Sequence, residues 1–272
     1  MMLRMVALLL TGLLCIPAFS PAVEMSGRQI LEEAGRRQKT RTEQELFEMI
    51  LVDSQGNQEK REVCRYIKEV EPDIYRTLLV FLSPADVRGT ALLLIQHRNE
   101  EDEQYLYLPA LGNLRRIAKG NQRTYFMGTD FAYEDMRTDD LSMHAYYRLP
   151  DEIIDGKPCF VVEAVPNTRE AKRDSGYSKR IIWVRQDTFF SPKAEFYDKR
   201  GKLLKVLQGS DWEQVTSEVW RPQQGTMENV QRRHKTILKS LERKINIDMP
   251  NEMFTTHFIL KGKHVKQAKT KK

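Results

Sequence analysis

The chain has 272 residues, of which 40% are hydrophobic and 30% are charged, and its formal net charge is +6. This composition is typical of a globular domain with an apolar core and argues against a protein with many membrane-spanning helices. A chain of this length buries enough surface to fold without a metal or a disulfide. Because 38 acidic residues accompany 44 basic residues, no single basic field points to a nucleic-acid partner.

The first 22 residues have the three parts of a secretory signal peptide. Arg4 lies in a short leading segment, an apolar run at residues 6–19 follows, and small residues occupy positions 20 and 22. The run is shorter than the roughly 20 residues that a transmembrane helix needs. Leu14 stands before Cys15, where a lipoprotein signal needs a small residue. We therefore expect cleavage after Ala22 and, since the chain has no N-glycosylation sequon, export of an unlipidated protein into a bacterial periplasm.

The mature chain begins with one predicted helix and continues mostly as strands. Ser26 is placed to cap a helix over residues 27–39, with Ile30, Leu31 and Ala34 on one face. After it, short apolar or alternating segments separated by polar turns predict strands. The predicted strands cover residues 42–52, 59–70, 75–82, 90–96, 105–108, 113–118, 145–149, 157–165, 178–185, 189–197, 202–208, 218–221, 226–231, 235–245 and 255–260, with helical turns at 133–136 and 250–253.

This order predicts a mainly β fold, a long antiparallel meander of about a dozen strands. A twisted sheet of more than about ten strands must curl or split. Residues 78–82, 91–95 and 160–165 are apolar at consecutive positions, so both faces of the sheet need cover there. A curved sheet with helices in its concave side supplies that cover and creates an apolar hollow. We expect one domain over residues 23–260 and a mobile tail at 261–272, which holds six lysines.

The sequence contains no motif for catalysis, a metal or a cofactor. Its five histidines lack metal-site spacing, and no CxxC, Walker, GxGxxG or GxSxG motif is present. The acidic run at residues 100–103 fits a solvated hairpin tip better than a cation site. Cys64 and Cys159 could pair in an oxidising compartment, but two cysteines alone fix no geometry, and we favour two thiols on separate strands. We therefore expect neither an enzyme nor a bound metal.

Two stretches resemble a known protein family. They are FLSPADVRGT at residues 81–90 and YLYLPALGNLRRIAKGNQRTYFMGTDFAYEDM at residues 105–136. They are similar to the outer membrane lipoprotein-sorting proteins, the LolA-like family of bacterial periplasms, and within it to the branch associated with RND-type lipid exporters. The resemblance covers essentially the whole mature chain. It implies a curved, half-open antiparallel β-barrel, closed by a helical lid, whose apolar cavity receives acyl chains without a cofactor.

The function that this resemblance implies is a periplasmic carrier of lipid or lipoprotein acyl chains, which transfers them between envelope membranes or to and from an exporter. Each acyl CH₂ that leaves water contributes about 0.8 kcal/mol, so a chain can be held without a specific polar contact. The alternative is a lipid-responsive sensor of the cell envelope, and an enzyme on envelope substrates ranks third for want of a catalytic set. We expect a monomer whose partners are a lipid or acylated protein and an inner-membrane RND-type transporter.

The residues expected to bind the acyl chain are large apolar side chains of the strands and of one loop. Gly128 gives the loop at residues 126–131 the freedom for a sharp reversal, and we expect this loop and the turn at 133–136 to form a lid or rim. Arg115 and Arg116 lie near the expected mouth, where they could meet an anionic head group or a transporter. The expected cavity and lid residues are Phe81, Leu92, Leu94, Tyr105, Tyr107, Phe126, Met127, Phe131, Tyr133, Phe160 and Val162. The alternation does not decide which strand face lines the cavity.

We predict that the exported protein begins at or near Val23 and carries no lipid. Small residues at Ser20 and Ala22 favour this cleavage, and Leu14 disfavours modification of Cys15. Intact-mass measurement of the protein recovered from the periplasm of an expressing cell checks both points. A mass that retains residues 1–22, or one that includes a diacylglycerol group on Cys15, would contradict the prediction.

Overall fold

One antiparallel sheet of 13 strands forms the body of the protein, for which a computed structural model describes residues 24–137 and 141–269. The signal peptide predicted at residues 1–22 lies outside these ranges. The strands are β1 Thr42–Val52, β2 Gln58–Glu71, β3 Ile74–Ser83, β4 Ala91–Ile95, β5 Glu103–Leu108, β6 Asn113–Arg116, β7 His144–Ile154, β8 Lys157–Pro166, β9 Lys179–Arg185, β10 Lys193–Tyr197, β11 Leu203–Gln214, β12 Trp220–Asn229 and β13 His234–Ile245. The α-helices are α1 Gly27–Arg37, α2 Arg169–Asp174, α3 Thr256–Leu260 and α4 Lys263–Lys269. Short 3-10 helices lie at Pro109–Leu111, Lys119–Asn121, Tyr133–Met136, Leu141–Met143 and Asn251–Phe254.

The strand order makes two meanders that meet in the middle of the sheet. Strand β1 pairs with β13, the strands run outward in sequence from β1 to β6, and they return in sequence from β7 to β13. Strands β6 and β7 are therefore the two edges, and they do not pair with each other within the described ranges. Because so many twisted strands cannot stay flat, the sheet curls into a half-open barrel. The predicted mainly β, antiparallel, half-open fold is confirmed.

The two faces of the sheet are covered by different parts of the chain. We call the face that carries Phe47, Phe81 and Phe196 the inner face, and the opposite face the outer face. Helix α1 covers the inner face of strands β8 and β9, where Ile30 packs among buried apolar side chains. The C-terminal helices cover the outer face of β2–β4, where Phe254 belongs to the buried cluster. Both faces thus need cover where the sequence is apolar at consecutive positions, as predicted.

Helix α1 begins at the residue that the sequence predicts. The backbone N–H of Gln29 donates to the Ser26 hydroxyl at 3.3 Å, and the Gln29 side chain accepts from the Ser26 backbone N–H at 2.9 Å. This capping box satisfies donors that a helix start leaves without intrahelical partners. Ile30 is fully buried, and Leu31 and Ala34 are half-buried beside it, so the predicted apolar face is the one that packs on the sheet.

At the C-terminus, helices form where the sequence predicts a strand and a mobile tail. Residues 255–260 were predicted as a last strand, but the chain forms helix α3, whose first turn is capped when the Thr255 hydroxyl accepts from the Phe258 backbone N–H at 3.2 Å. Consecutive apolar residues do not distinguish a buried strand from a short buried helix. The sequence predicts a mobile tail at residues 261–272, of which residues 263–269 form helix α4, where the buried His264 ring contacts the Gly89 carbonyl at 3.0 Å. None of the helices in the described ranges is long and apolar enough to cross a membrane.

Two further elements differ from the sequence prediction. Strand β12 is continuous, whereas the sequence predicts separate strands at residues 218–221 and 226–231. Helix α2 is not among the elements predicted from the sequence; the Thr168 hydroxyl caps it by accepting from the Ala171 backbone N–H at 3.0 Å. Cys64 on β2 and Cys159 on β8 are buried free thiols, on separate strands as predicted.

The packing of the C-terminal helices predicts a large stability loss when the Phe254 ring is removed. Phe254 is fully buried in the outer-face cluster, so Phe254→Ala should lower the free energy of unfolding by about 3–5 kcal/mol in urea denaturation. Leu260→Ala is the control, because Leu260 is 53% exposed and its loss should change stability by at most about 0.5 kcal/mol. Equal stability of the two variants would show that the C-terminal segment is not part of the core.

Candidate ligand-binding face

A single segment crosses the inner face and joins the two halves of the sheet. We call residues 117–137 the insert; they follow β6 at one edge of the sheet. The Gln104 side chain of β5 donates to the Tyr133 carbonyl at 2.9 Å, and the Arg61 guanidinium of β2 donates to the Met127 carbonyl at 2.6 Å. From the other half of the sheet, the Asn229 amide donates to the Tyr125 hydroxyl at 2.7 Å. The insert therefore lies across strands of both meanders.

The tip of the insert is a tight reversal. Met127 and Gly128 have φ values of 48° and 77°, both in the left-handed region that favours glycine. The Thr129 backbone N–H donates to the Phe126 carbonyl at 2.9 Å across this turn, and the Phe126 N–H donates to the Phe131 carbonyl at 2.8 Å. Two consecutive positive φ values are the mark of a type I′ turn, so the reversal predicted at Gly128 is confirmed.

The turn directs the ring of Phe126 into the inner-face core. Phe126 is fully buried, with its ring centroid 5.7 Å from that of Phe81 and 5.5 Å from that of Tyr133. The cluster around it contains the buried side chains Phe47, Met49, Leu51, Val63, Leu79, Phe81, Val87, Leu92, Leu94, Phe126 and Tyr133. Side chains of the insert thus complete the apolar packing of the inner face.

The expected cavity residues divide between the two faces. Six of them, Phe81, Leu92, Leu94, Phe126, Met127 and Tyr133, lie in or against the Phe126 cluster. Phe131 packs against a second inner cluster around Phe196, and Phe160 and Val162 pack beside helix α1. Tyr105 and Tyr107 face the other way, because they alternate with Gln104 and Leu106 along β5, and they pack against the C-terminal helices. The ring centroids of Tyr107 and His264 are 5.5 Å apart.

The two arginines expected near a mouth lie on the edge strand β6. Arg115 and Arg116 are both exposed. The Arg116 guanidinium contacts the Glu103 carboxylate of the neighbouring strand at 3.2 Å. Because both side chains are exposed, they are accessible to a ligand or a partner. An ion pair this exposed contributes little to stability.

A buried ion pair attaches the insert to the C-terminal half of the sheet. Lys205 of β11 is fully buried, and its Nζ lies 2.5 Å from the Asp135 carboxylate and 2.9 Å from the Asp130 carbonyl, to which it donates. The Tyr177 hydroxyl donates to the other Asp135 oxygen at 2.7 Å. The rings of Tyr177 and Phe196 lie 5.0 and 5.3 Å from the Lys205 ammonium. The Lys205 ammonium and the Asp135 carboxylate compensate each other's buried charge. The two aromatic rings stabilise the ammonium further by cation–π contact.

A second buried contact attaches the insert to β13. The Thr236 hydroxyl donates to the Asp130 carboxylate at 2.8 Å and accepts from the Asp130 backbone N–H at 2.9 Å. The His234 ring nitrogen lies 2.7 Å from the same carboxylate oxygen. The sequence prediction missed this contact and the one at Lys205. The only available signal was Lys205, a single charged residue in the apolar run from Leu203 to Leu207.

Burial changes the pKa of two groups at the insert, Tyr177 beside it and Glu134 within it. Burial raises the pKa of Tyr177, and the carboxylates of Asp135 and Glu134 raise it further, so the phenol stays protonated and remains a donor. Burial raises the pKa of Glu134, whose side chain accepts from the Gly176 backbone N–H at 2.7 Å. Within the described ranges, no group of three or more His, Cys, Asp or Glu side chains is arranged to hold a metal ion. The contacts of Lys205, Tyr177 and Thr236 serve to hold the insert against the sheet.

Comparison with known proteins gives the class of this fold. The crystal structure of a LolA superfamily protein from Nitrosomonas europaea has a TM-score of 0.67 and 21% identity, over 86% of this chain and all of that one, and it shows the shared fold. A DUF1329 family protein from Desulfovibrio piger has a TM-score of 0.79 and 25% identity, over 86% and 97% of the two chains. The protein is therefore a LolA-like half-barrel with its inner face covered by its own insert.

Sequence similarity assigns the family. An outer membrane lipoprotein-sorting protein domain from Vibrio parahaemolyticus is 32% identical, with a TM-score of 0.80 over 86% of this chain and 98% of that chain. A family model described as "Uncharacterized protein"-like matches residues 74–261, more than half of the chain. No curated protein matches the sequence. The chain belongs to the LolA-like family of outer membrane lipoprotein-sorting proteins, and the resemblance found in the sequence is confirmed.

Because the ion pair of Lys205 and Asp135 is buried, removing the lysine should lower stability strongly, and a second substitution at Asp135 should restore part of the loss. Lys205→Met leaves the Asp135 carboxylate buried without its cation, so the free energy of unfolding should fall by about 3–5 kcal/mol. Adding Asp135→Asn removes the uncompensated charge and should recover part of that loss. Chemical denaturation measures both, with the exposed Lys202→Met as the control. A double variant no more stable than Lys205→Met would contradict the pairing.

Proposed function

We propose that the protein is a periplasmic carrier that binds the acyl chains of lipid or lipoprotein against its inner face. The observation that carries the proposal is that, among the described residues, the insert and not a second sheet completes the inner face: Phe126 packs among strand residues such as Phe81 and Leu92. The lipoprotein-sorting relative from Vibrio parahaemolyticus supports the choice of cargo. Export through the predicted signal peptide would bring the protein to the compartment where such cargo is found.

In this proposal the insert acts as a lid that competes with the ligand. An acyl chain would replace Phe126, Met127 and Phe131 against the strands, and its burial gains about 0.8 kcal/mol for each CH₂ removed from water. Loading must also break the contacts of Lys205 and Asp130, which favour the covered state. A ligand shifts such an equilibrium only by its different affinity for the two states, so a tightly fixed lid lowers the apparent affinity.

A protein partner would then help to move cargo in or out. A carrier that holds apolar chains strongly releases them slowly unless contact with a partner favours the other state of the lid. Arg115 and Arg116 on the exposed edge strand β6 are the residues that we propose for contact with an anionic head group or with an inner-membrane RND-type transporter. The proposed role is binding and transfer by a monomer, without catalysis or a cofactor.

The test is binding of a fluorescent fatty-acid probe that brightens in an apolar environment. We expect saturable binding in the micromolar range or tighter, with displacement by phospholipid or by an acylated peptide. If Phe126 and Phe131 compete with the acyl chain, Phe126→Ala and Phe131→Ala should each bind the probe more tightly per folded molecule. The smaller side chain weakens the covered state and so lowers the cost of opening.

Phe254→Ala provides the matched control for these variants. It removes the same ring from the outer face, so it should lower stability and leave probe affinity per folded molecule unchanged. Absence of saturable binding to the folded wild-type protein would contradict the carrier function. A loss of stability with unaltered affinity in both insert variants would make the insert a structural element only.

A further inference from the structure

The sheet splits at one end between its two central C-terminal strands. Pairing of β12 with β13 runs from Asn229 opposite His234 to Gln224 opposite Lys239. Beyond that point β12 continues to pair with β11 as far as Trp220, and β13 continues to pair with β1. The split begins where the β1–β13 register shifts, at the extra residue Leu241. A bulge of this kind bends the strand that contains it and directs it away from a neighbour.

Pro222 lies on the β12 side of the split. Proline has no backbone N–H to give to a ladder, so it suits a strand segment with no partner on that side. The Pro222 carbonyl instead accepts from the Arg243 guanidinium of β13 at 3.2 Å. A side chain therefore bridges the two strands in place of a backbone ladder.

A cleft of about 500 Å³ occupies the split, and most of its lining side chains are polar. Two of these polar groups already have partners. The Glu242 carboxylate contacts the Lys244 ammonium at 2.6 Å, and the Glu213 carboxylate accepts from the Gln223 amide. Arg243 also lines the cleft, although its side chain is only 7% exposed.

Arg243 belongs to a buried cluster with an excess of positive charge. Arg221 donates to Glu43 at 3.0 Å, Arg65 donates to Glu45 at 2.6 Å, and Arg243 contacts both carboxylates. Burial alone would raise the pKa of Glu43, but the guanidiniums of Arg221, Arg65 and Arg243 outweigh it and lower that pKa. The carboxylate of Glu43 is therefore ionised at neutral pH. Three cations face two buried carboxylates, which leaves one positive charge without a buried partner; the exposed Glu213 carboxylate lies opposite Arg221 on β11.

The uncompensated charge coincides with an unused hydrogen-bond donor. Nη1 of Arg243 is buried and has no hydrogen-bond partner among the described residues. Among the same residues, Nε of Arg243 and Oε1 of Glu43 also lack a hydrogen-bond partner, but they face each other at 3.3 Å, so Nη1 is the donor with no nearby acceptor in this pair. A buried charged donor without an acceptor is costly, so such a group indicates a missing acceptor. Arginine presents its donors in a planar fork that matches carboxylate and phosphate oxygens. One monoanion at Arg243 would satisfy the donor and neutralise the cluster.

Arg243 lies on the same face of the sheet as the apolar part of the inner face. Arg243 pairs with Glu45 and Leu238 pairs with Met49, so Arg243 and Leu238 lie on the same face of β13. Leu238 packs against the Phe126 cluster. A head group at Arg243 would therefore have its chain directed along β13 towards the side chains that the insert covers.

We propose that this cleft is a binding site for the monoanionic head group of an amphiphile, a phosphodiester or a carboxylate, with Arg243 as its principal donor. The proposal deepens the carrier function and rests on it for the attached acyl chain. It adds a source of selectivity, because burial of the chain alone does not distinguish charged from uncharged lipids. The charge balance of the cluster limits the preferred ligand to one negative charge.

The test compares three amphiphiles that share one oleoyl chain: oleate, oleoyl lysophosphatidylglycerol and uncharged monoolein. Each displaces the fluorescent fatty-acid probe at pH 7 and low salt. We expect at least one charged amphiphile to bind about tenfold or more tightly than monoolein. Preference for the lysophospholipid identifies a phosphodiester, and preference for oleate identifies a carboxylate. Equal binding of all three would overturn the head-group site and leave the carrier function in place.

Variants connect the preference to the cluster. Arg243→Gln should reduce the preference to less than about threefold without weakening monoolein, and the exposed Arg200→Gln should behave as wild type. Because Arg243→Gln removes a partner from two buried carboxylates, Arg243→Gln/Glu45→Gln is the second variant, with the same expected loss. Glu45→Gln alone raises the excess charge to two and should tighten binding of the charged amphiphiles. Retention of the full preference in both Arg243 variants would overturn the proposal.

Soluble anions test the site without an acyl chain. Dimethyl phosphate and acetate should raise the Tm of the wild-type protein saturably, beyond the effect of sodium chloride at equal ionic strength, and should not do so in Arg243→Gln/Glu45→Gln. If no oleoyl amphiphile binds but one of these anions does, the carrier function fails and the anion site stands. If neither anion has an effect and the amphiphiles show no charge preference, the anion site fails.

Discussion

The structure depends on covering an apolar inner face that an open sheet leaves exposed. Thirteen strands curl without closing, so no second sheet from the described part of the chain packs against Phe47, Phe81 and their neighbours. The insert solves this problem by placing Phe126 in the core, and the buried pair of Lys205 and Asp135 fixes its position. The hydrophobic effect thus drives the segment onto the sheet, while a few polar contacts decide where it lies. Ligand binding and stability must therefore depend on the same surface.

A second group of polar contacts on the inner face lies near the C-terminus of α1, apart from the contacts that hold the insert. Arg221 links three elements there: it donates to Glu43 of β1 and to the carbonyl of Gln38, the residue that ends α1. The Gln38 side chain in turn accepts from the Trp220 backbone N–H at 2.8 Å. These contacts hold the end of β12 at residues 220–223, which has no backbone ladder to β13. The inner face therefore has an apolar cluster around Phe126, a buried polar contact that holds the insert at Lys205 and Asp130, and a charged region at the cleft.

The sequence predicted the strands well because the fold is a meander with local pairing. The alternation in β2 and the turn after β1 are signals contained within short segments, and Ser26 marks the start of α1 directly. Which face of β5 would be inner was not predictable, since Tyr105 and Leu106 are both apolar and only the C-terminal helices decide their environment. The contacts of Lys205, Asp135 and Arg243 join residues far apart in the chain, and a single sequence holds no signal of such pairs. The split at Leu241 depends on register, which alternation does not specify.

Hydrogen–deuterium exchange of the insert, with and without saturating oleate, tests the central claim most directly. The backbone N–H of Asp130 in the insert donates to Thr236 of the sheet, and the backbone N–H of Gly176, in the loop before β9, donates to Glu134 of the insert. If an acyl chain displaces the insert, both amides should lose protection on binding, while amides of α1 and of the β1–β2 ladder remain protected. Unchanged or increased protection of Asp130 and Gly176 in the fully bound protein would contradict the account, because the insert would then stay in place when the ligand binds.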